Sequence, residues 1–407
     1  MALGTEGYSV ALLVKIEYAG ANEESFQKAA QVLDRVGELP ISAKHVQRIT
    51  ERLGRERTQR REEQVEQMQA RTLESAYRQP PQVAAIHLDA GKIRLRADDG
   101  APGVRQPHWS DTKVGCFQTY TSIPGDQDPQ PDPPAVFLDP PRVVRLCQEM
   151  EQVRGIPATR PTAAKADTPL VAEAVIERPE RLVRTAVATR EGTEGFGWMV
   201  AAEAMRRGFY HAQRRAIVGD GGNWIAPLGQ RHFPGWVQVL DFLHLLVHLY
   251  AAAVAAYQDL GSRGRFRVWR LYEQMLRAAW AGQVPQVQTV LREHLECLGP
   301  PPKEAPNSDP RKVLSSVLDY VNDNAHRMDY ARYRREGLPV TSTLVESLIK
   351  QFNQRVKGTE KFWLEGGAEA ILQSRAAYLS EDGRAEAFYA HRPRGRAVGQ
   401  NRLQLSA

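Results

Sequence analysis

Apolar positions along the chain change period several times, and each change marks a different element. From about residue 23 to 80 the spacing is helical, with Phe26, Ala29, Ala30, Val32 and Leu33 on one face and Ser42 placed to cap a segment over 43–53. Two short helices are predicted ahead of a long one over 51–78. The long one interleaves Arg52, Arg55, Arg57, Arg60 and Arg61 with Glu51, Glu56, Glu62 and Glu63, as on a solvated or coiled helix. Between 83 and 120 the period shortens, and 83–89, 92–96 and 113–119 read as a three-strand meander with Gly and Asp at its turns. Pro124, Pro129, Pro131, Pro133, Pro134, Pro140 and Pro141 then predict an irregular connection reaching about residue 180, because proline suits neither a helix interior nor a central strand. One helical piece, 142–152, and a low-complexity patch, 157–169, expected to be mobile, lie within it.

Further on, a helix over 196–208 leads into an apolar strand, 215–220, then a short helix and a second strand, 236–241. The pattern is almost wholly helical from 250 to about 330, where Trp269, Leu271, Tyr272, Met275, Leu276 and Trp280 form an apolar stripe. A last helix is predicted to open at Thr341 and to run through Val345, Leu348, Ile349, Phe352 and Val356 to Gly358, with Glu346 near its first turn.

At 407 residues with 42% hydrophobic content the chain is long enough for more than one core. The net charge of +6 is modest, but clustered Arg and Lys favour an anionic polymer as partner. Three widely separated cysteines argue against a disulfide framework or a structural zinc site and fit a reducing interior. The longest apolar stretch, 243–257, is too short to span a bilayer and contains His244 and His248, so no membrane partner is expected.

Candidate chemistry lies where apolar strands stop. Asp220 and Asp241 each end a strand, so their oxygens are placed to converge on hard divalent cations. The bland alternatives are a turn aspartate before Gly91, a turn aspartate beside Gly221, and a helix-dipole or capping role for Glu346. His248, one helical turn from His244, reads as an ordinary satisfied helix histidine.

An aspartate on the first strand, another after a later strand and a glutamate on a late helix match a ribonuclease-H-like core. The blocks HLDAGKIRLR, WSDTKVGCF, VGDGGNWI, FPGWVQVLDFLHLLVHL and VTSTLVESLIKQFNQRVKGTEKFW resemble, in order and spacing, the DDE transposases of bacterial insertion sequences, in particular the ISKra-type group. The resemblance spans most of 23–380. It implies an α/β ribonuclease-H-like core with a mixed sheet, an N-terminal helical region and an all-helical insertion before the last catalytic helix. It also implies that Asp89, Asp220 and Glu346 are catalytic and hold two Mg2+ ions, with Mn2+ as a substitute, and that Asp241 and His244 support them. Ala90 stands where a second glycine is expected. The family also implies an upstream cysteine-rich, zinc-ribbon-like segment, so a truncated copy is one expectation.

The expected organisation is 1–80 as a helical region for DNA binding or dimerisation, with 81–125 and 181–250 as the two halves of the core. The segment 126–180 is the Pro-rich connection, 251–335 the insertion, 336–385 the last core helix and 386–407 a basic flexible tail. DNA contacts are assigned to Lys44, Arg48, Lys113, Arg332, Arg334, Arg335, Arg355, Lys357 and Lys361, with Trp363 as a platform for a flipped or frayed base and Phe362 as core. The expected partner is DNA, bound by a homodimer or larger assembly in a bacterial cytoplasm, beside the nucleoid. Two rival readings are an idle transposase-derived DNA-binding protein and a ribonuclease-H-like nuclease without strand transfer.

Overall fold

The computed structural model describes residues 8–77, 79–96, 107–150, 179–258, 264–341, 343–358 and 361–390, with only the main chain described at Pro107, Thr343, Leu344 and Glu346. The 157–169 patch and most of the basic tail lie outside these residues. Serine hydroxyls set the first helices: Ser9 caps α1 (Val10–Asn22), Ser25 caps α2 (Phe26–Arg35) and Ser42 caps α3 (Ala43–Gln69), each accepting a main-chain N–H three residues on. The predicted 43–53 and 51–78 segments are one helix. α3 is not a solvated rod. Arg57 forks onto Glu17 of α1 at 2.8 and 2.9 Å, and Arg61 pairs with Glu369 at 2.5 Å.

One mixed sheet, ordered β3-β2-β1-β4-β5, forms the centre of an α/β fold. β1 (Val83–Arg96) pairs antiparallel with β2 (Pro107–Thr121), which pairs antiparallel with β3 (Glu180–Thr189). On its other side β1 runs parallel to β4 (Arg214–Gly219), and β4 parallel to β5 (Val237–Leu240). Two expectations are corrected here. The segments 83–89 and 92–96 are one continuous strand, because Gly91 stays in the ladder opposite Thr112 and makes no turn. The third strand of the meander is β3, with Ala186, Val187 and Ala188 buried, in a stretch at the start of the expected second half of the core for which no strand was predicted. That connection does carry a helix, α4 (Pro140–Glu149).

Side chains two apart on a strand share a face, and the core divides accordingly. Ala84, Ile86 and Leu88 of β1 meet α5 (Thr193–Arg206) and α6 (Ile225–His232). On the opposite face Val83 and Ala85 meet α7 (Phe242–Ala256), α8 (Arg265–Trp280), α9 (Val284–Leu298) and α10 (Pro310–Asn324). These helices, with α11 (Tyr330–Arg335), form the expected helical segment, and its predicted stripe is core: Leu271, Tyr272, Met275, Leu276 and Trp280 are buried. Each such side chain contributes about 1.5–3 kcal/mol through removal from water. Further along that face, Ile93 and Leu95 carry α12 (Thr343–Val356) and α13 (Glu365–Leu379). α14 (Arg384–Ala390) completes a separate cluster with α1, α2 and α3. Among the described residues no helix is long and apolar enough to cross a membrane.

Candidate active site

Three aspartates emerge at one edge of the sheet because three parallel strands stop in register. The ladder between β1 and β4 closes at Leu88 and Gly219, and that between β4 and β5 at Gly219 and Leu240, so Asp89, Asp220 and Asp241 are the next residues on adjacent strands. By strand alternation all three side chains fall on the face shared with Val83, Ala85, Val218 and Val239, the face covered by α7, α10 and α12. The Asp241 N–H donates to the Gly219 carbonyl at 2.8 Å, which extends the ladder by one bond. Asp220 Oδ1 accepts from Gly222 N–H at 2.9 Å, and its carbonyl accepts from the Tyr320 hydroxyl at 2.8 Å. Gly221 turns the chain at φ 88°, with the Tyr320 ring 2.8 Å from where a Cβ would stand. Only glycine suits that turn.

Asp241 caps α7 through Leu243 N–H, and its other oxygen meets His244 Nδ1 at 2.5 Å. Burial opposes charge on His244, but the hydrogen bond and charge of Asp241, joined by the charges of Asp220 and Asp89, raise its pKa to about 9. His244 is therefore an imidazolium at neutral pH, set among three carboxylates. His248 contrasts with it: burial and the charge on His244 lower its pKa to about 4, and its ring stacks on Tyr320 at 3.9 Å between centroids. Its reading as a packed helix histidine agrees with that geometry.

Three further residues reach the site that sequence reasoning did not single out. His87, two residues before Asp89 on the same face, is fully buried beside the Tyr120 hydroxyl at 3.3 Å, and burial lowers its pKa to about 4. Tyr320 of α10 fixes the Asp220 turn, and the buried Arg327 places a cation within electrostatic reach of Asp220. An available signal was the aromatic and basic run 320–334, which follows the predicted helical stripe.

Glu346 lies in the first turn of α12, whose Val345 and Leu348 pack on the hairpin of β1 and β2; the Glu346 side chain lies outside the described residues. The cationic assignments divide. Lys44, Arg48, Arg332 and Lys357 are exposed, and Lys113, Arg335 and Lys361 are half-buried. Two arginines are corrected, because their guanidiniums are core groups. Arg334 forks onto Asp128 and lies over the Trp280 ring at 4.0 Å. Arg355 donates to the Gly20 carbonyl and sits between Phe26 and Trp363. The aromatic pair is reversed: Trp363 is buried, its indole N–H given to the Val356 carbonyl, whereas Phe362 is 38% exposed.

Asp89, Asp220 and Asp241 all act electrostatically on His244. Among the described residues no group of three or more His, Cys, Asp or Glu is arranged to hold a metal ion. Of the three aspartates, Asp241 is committed to His244. No family model matches the chain, and no curated protein matches it significantly.

Proposed function

We propose that this protein is a DNA transposase of the ISKra type, built on a ribonuclease-H-like core, that cuts and joins phosphodiester bonds at insertion-sequence ends. The observation that carries the reading is the placement of Asp89 and Asp220 at the matching ends of adjacent parallel strands, on the face that also receives α12 with Glu346. The mixed sheet, with β1 flanked by an antiparallel pair on one side and parallel strands on the other, supports that reading. In this reading Asp89, Asp220 and Glu346 hold two Mg2+ ions, for which Mn2+ substitutes. When bound, the ions activate a water or DNA 3′-hydroxyl and offset charge on the leaving oxygen.

The chain's own part is positioning and charge control. Gly222 and Tyr320 lock the turn that aims Asp220. The His244 imidazolium, fixed by Asp241, moderates repulsion among the acids before the cations arrive and remains beside them as a support. The accessible cations Lys44, Arg48, Lys113, Arg332, Arg335, Lys357 and Lys361 supply backbone phosphate contacts. Two DNA ends must be held together for strand transfer, so the working form is a dimer or larger assembly on DNA, in a bacterial cytoplasm.

The test is Mg2+- or Mn2+-dependent nicking of supercoiled plasmid by the full chain beside Asp220→Asn. Nicking that the variant loses is the expected result. An unaltered chain that binds DNA but never nicks it overturns the catalytic reading in favour of an idle DNA-binding protein; nicking without joining of supplied ends favours a nuclease.

A further inference from the structure

The outer end of the β1 and β2 hairpin exposes two aromatic rings beside one guanidinium. Trp109 is 52% exposed and Phe362 38%, although both are large apolar side chains. Arg94 faces Trp109 directly across the ladder, and its guanidinium carbon stands 4.9 Å from the Trp109 ring centre and 5.9 Å from that of Phe362. Main-chain bonds fix the third member. The Trp363 N–H donates to the Arg94 carbonyl at 3.2 Å and the Arg96 N–H to the Trp363 carbonyl at 3.0 Å, which joins this stretch to β1 and turns Phe362 to the face opposite the buried Trp363. Arg96, two residues beyond Arg94 on β1, is exposed, and Lys361 adjoins Phe362 in sequence.

We infer that Trp109, Arg94 and Phe362 form a stacking platform for unpaired bases of single-stranded DNA. Aromatic faces interleaved with cations suit a polymer of flat bases on an anionic backbone, and stacking accepts any base because each has a π-face. A lipid or acidic peptide offers no such plane. Arg94 lies five residues beyond Asp89 on β1, about 17 Å at the usual rise of a strand and on the opposite face of the sheet. The inference rests on the DNA reading above and assigns it a surface separate from the carboxylates.

The experiment is equilibrium binding of the full chain, in EDTA to prevent cleavage, to a labelled DNA duplex that is blunt, carries a short single-stranded overhang, or carries the same overhang made abasic. The overhang is expected to tighten binding and the abasic one not to. Trp109→Leu, which keeps apolar area but loses the π-face, is expected to remove the gain by a factor of about ten or more, as loss of one stacked base does, while Trp109→Tyr keeps most of it and blunt-duplex affinity stays unchanged. Equal affinity for the intact and abasic overhangs, or a Trp109→Leu protein that binds the overhang normally, overturns the platform alone. Failure to bind any of the duplexes overturns the platform and the DNA reading together. An RNA overhang preferred over DNA overturns the assignment of the strand as DNA.

Discussion

His244 Nδ1 lies 2.5 Å from Asp241 Oδ2, with the aspartate fully buried and the imidazole 6% exposed, so an ion pair sits inside the fold directly beside the acidic edge. Removal of one partner leaves the other charge buried and uncompensated, a change that typically costs about 3–5 kcal/mol. Asp241→Asn is therefore expected to lower the urea midpoint strongly and to bring the His244 pKa down, because the largest favourable influence on it is lost. A variant with an unchanged midpoint contradicts the buried pair.

The pH dependence has a definite sign. A histidine that ordinarily titrates near 6.5 does so at about 9 in the folded protein, so the native state binds this proton more tightly than the unfolded chain. The resulting stability is fully present below pH 6.5 and is lost as pH rises through about 9. Unfolding measured from pH 6 to 10 should show this loss, and His244→Asn should flatten it. If both proteins lose stability in parallel over that range, the shift is not there.

The same proton reports on cation binding without any turnover. Asp220 and Asp89 both help to raise the His244 pKa. Excess Mg2+ held by those carboxylates neutralises them, so the His244 midpoint, followed by magnetic resonance of the labelled imidazole, is expected to move down. A midpoint indifferent to Mg2+ counts against Asp89 and Asp220 as ligands. Asp220→Asn keeps an oxygen for the Gly222 N–H and should preserve the turn while it reduces Mg2+-dependent nicking by more than the 10- to 100-fold that loss of an outer-shell partner typically causes.

What was legible in the sequence was local. β4 and β5 are short apolar runs that end at Asp220 and Asp241, and their neighbours are packed helices, so pattern alone placed both acids. Non-local pairing decided the rest. Gly91 reads as a turn until Thr112 is seen opposite it, and β3 goes unread as a strand until β2 pairs with it. The choice between Phe362 and Trp363 depended on one bridge from Leu95 to Trp363, about 270 residues apart in sequence, which sets which ring points inward.

That reversal has a measurable consequence. Trp363→Ala empties a core position against Phe26, Val356 and Arg355 and should cost about 3–5 kcal/mol. Phe362→Ala, at an exposed site, should stay within about 0.5 kcal/mol. Thermal melts of the two proteins side by side decide the matter: equal losses, or a greater loss for Phe362→Ala, would mean that Trp363 is not the buried ring.

The contact between α3 and α13 is set by a single missing side chain. A Cβ at Gly54 would stand 2.2 Å from the Ala370 carbonyl oxygen and 2.7 Å from its Cβ, a distance that rigid helix backbone cannot accept. Gly54→Ala must therefore drive α3 away from α13, and the Arg61 to Glu369 pair that spans the two helices opens with it. Overpacking of this kind costs about 1–3 kcal/mol, enough to outweigh the propensity gain of at most about 1 kcal/mol from alanine in a helix. Gly366, in the first turn of α13, meets nothing within 4 Å of the same atom and is the internal control. Denaturation should show Gly54→Ala destabilised and Gly366→Ala neutral or better, and a stabilised Gly54→Ala would mean that the two helices do not meet there.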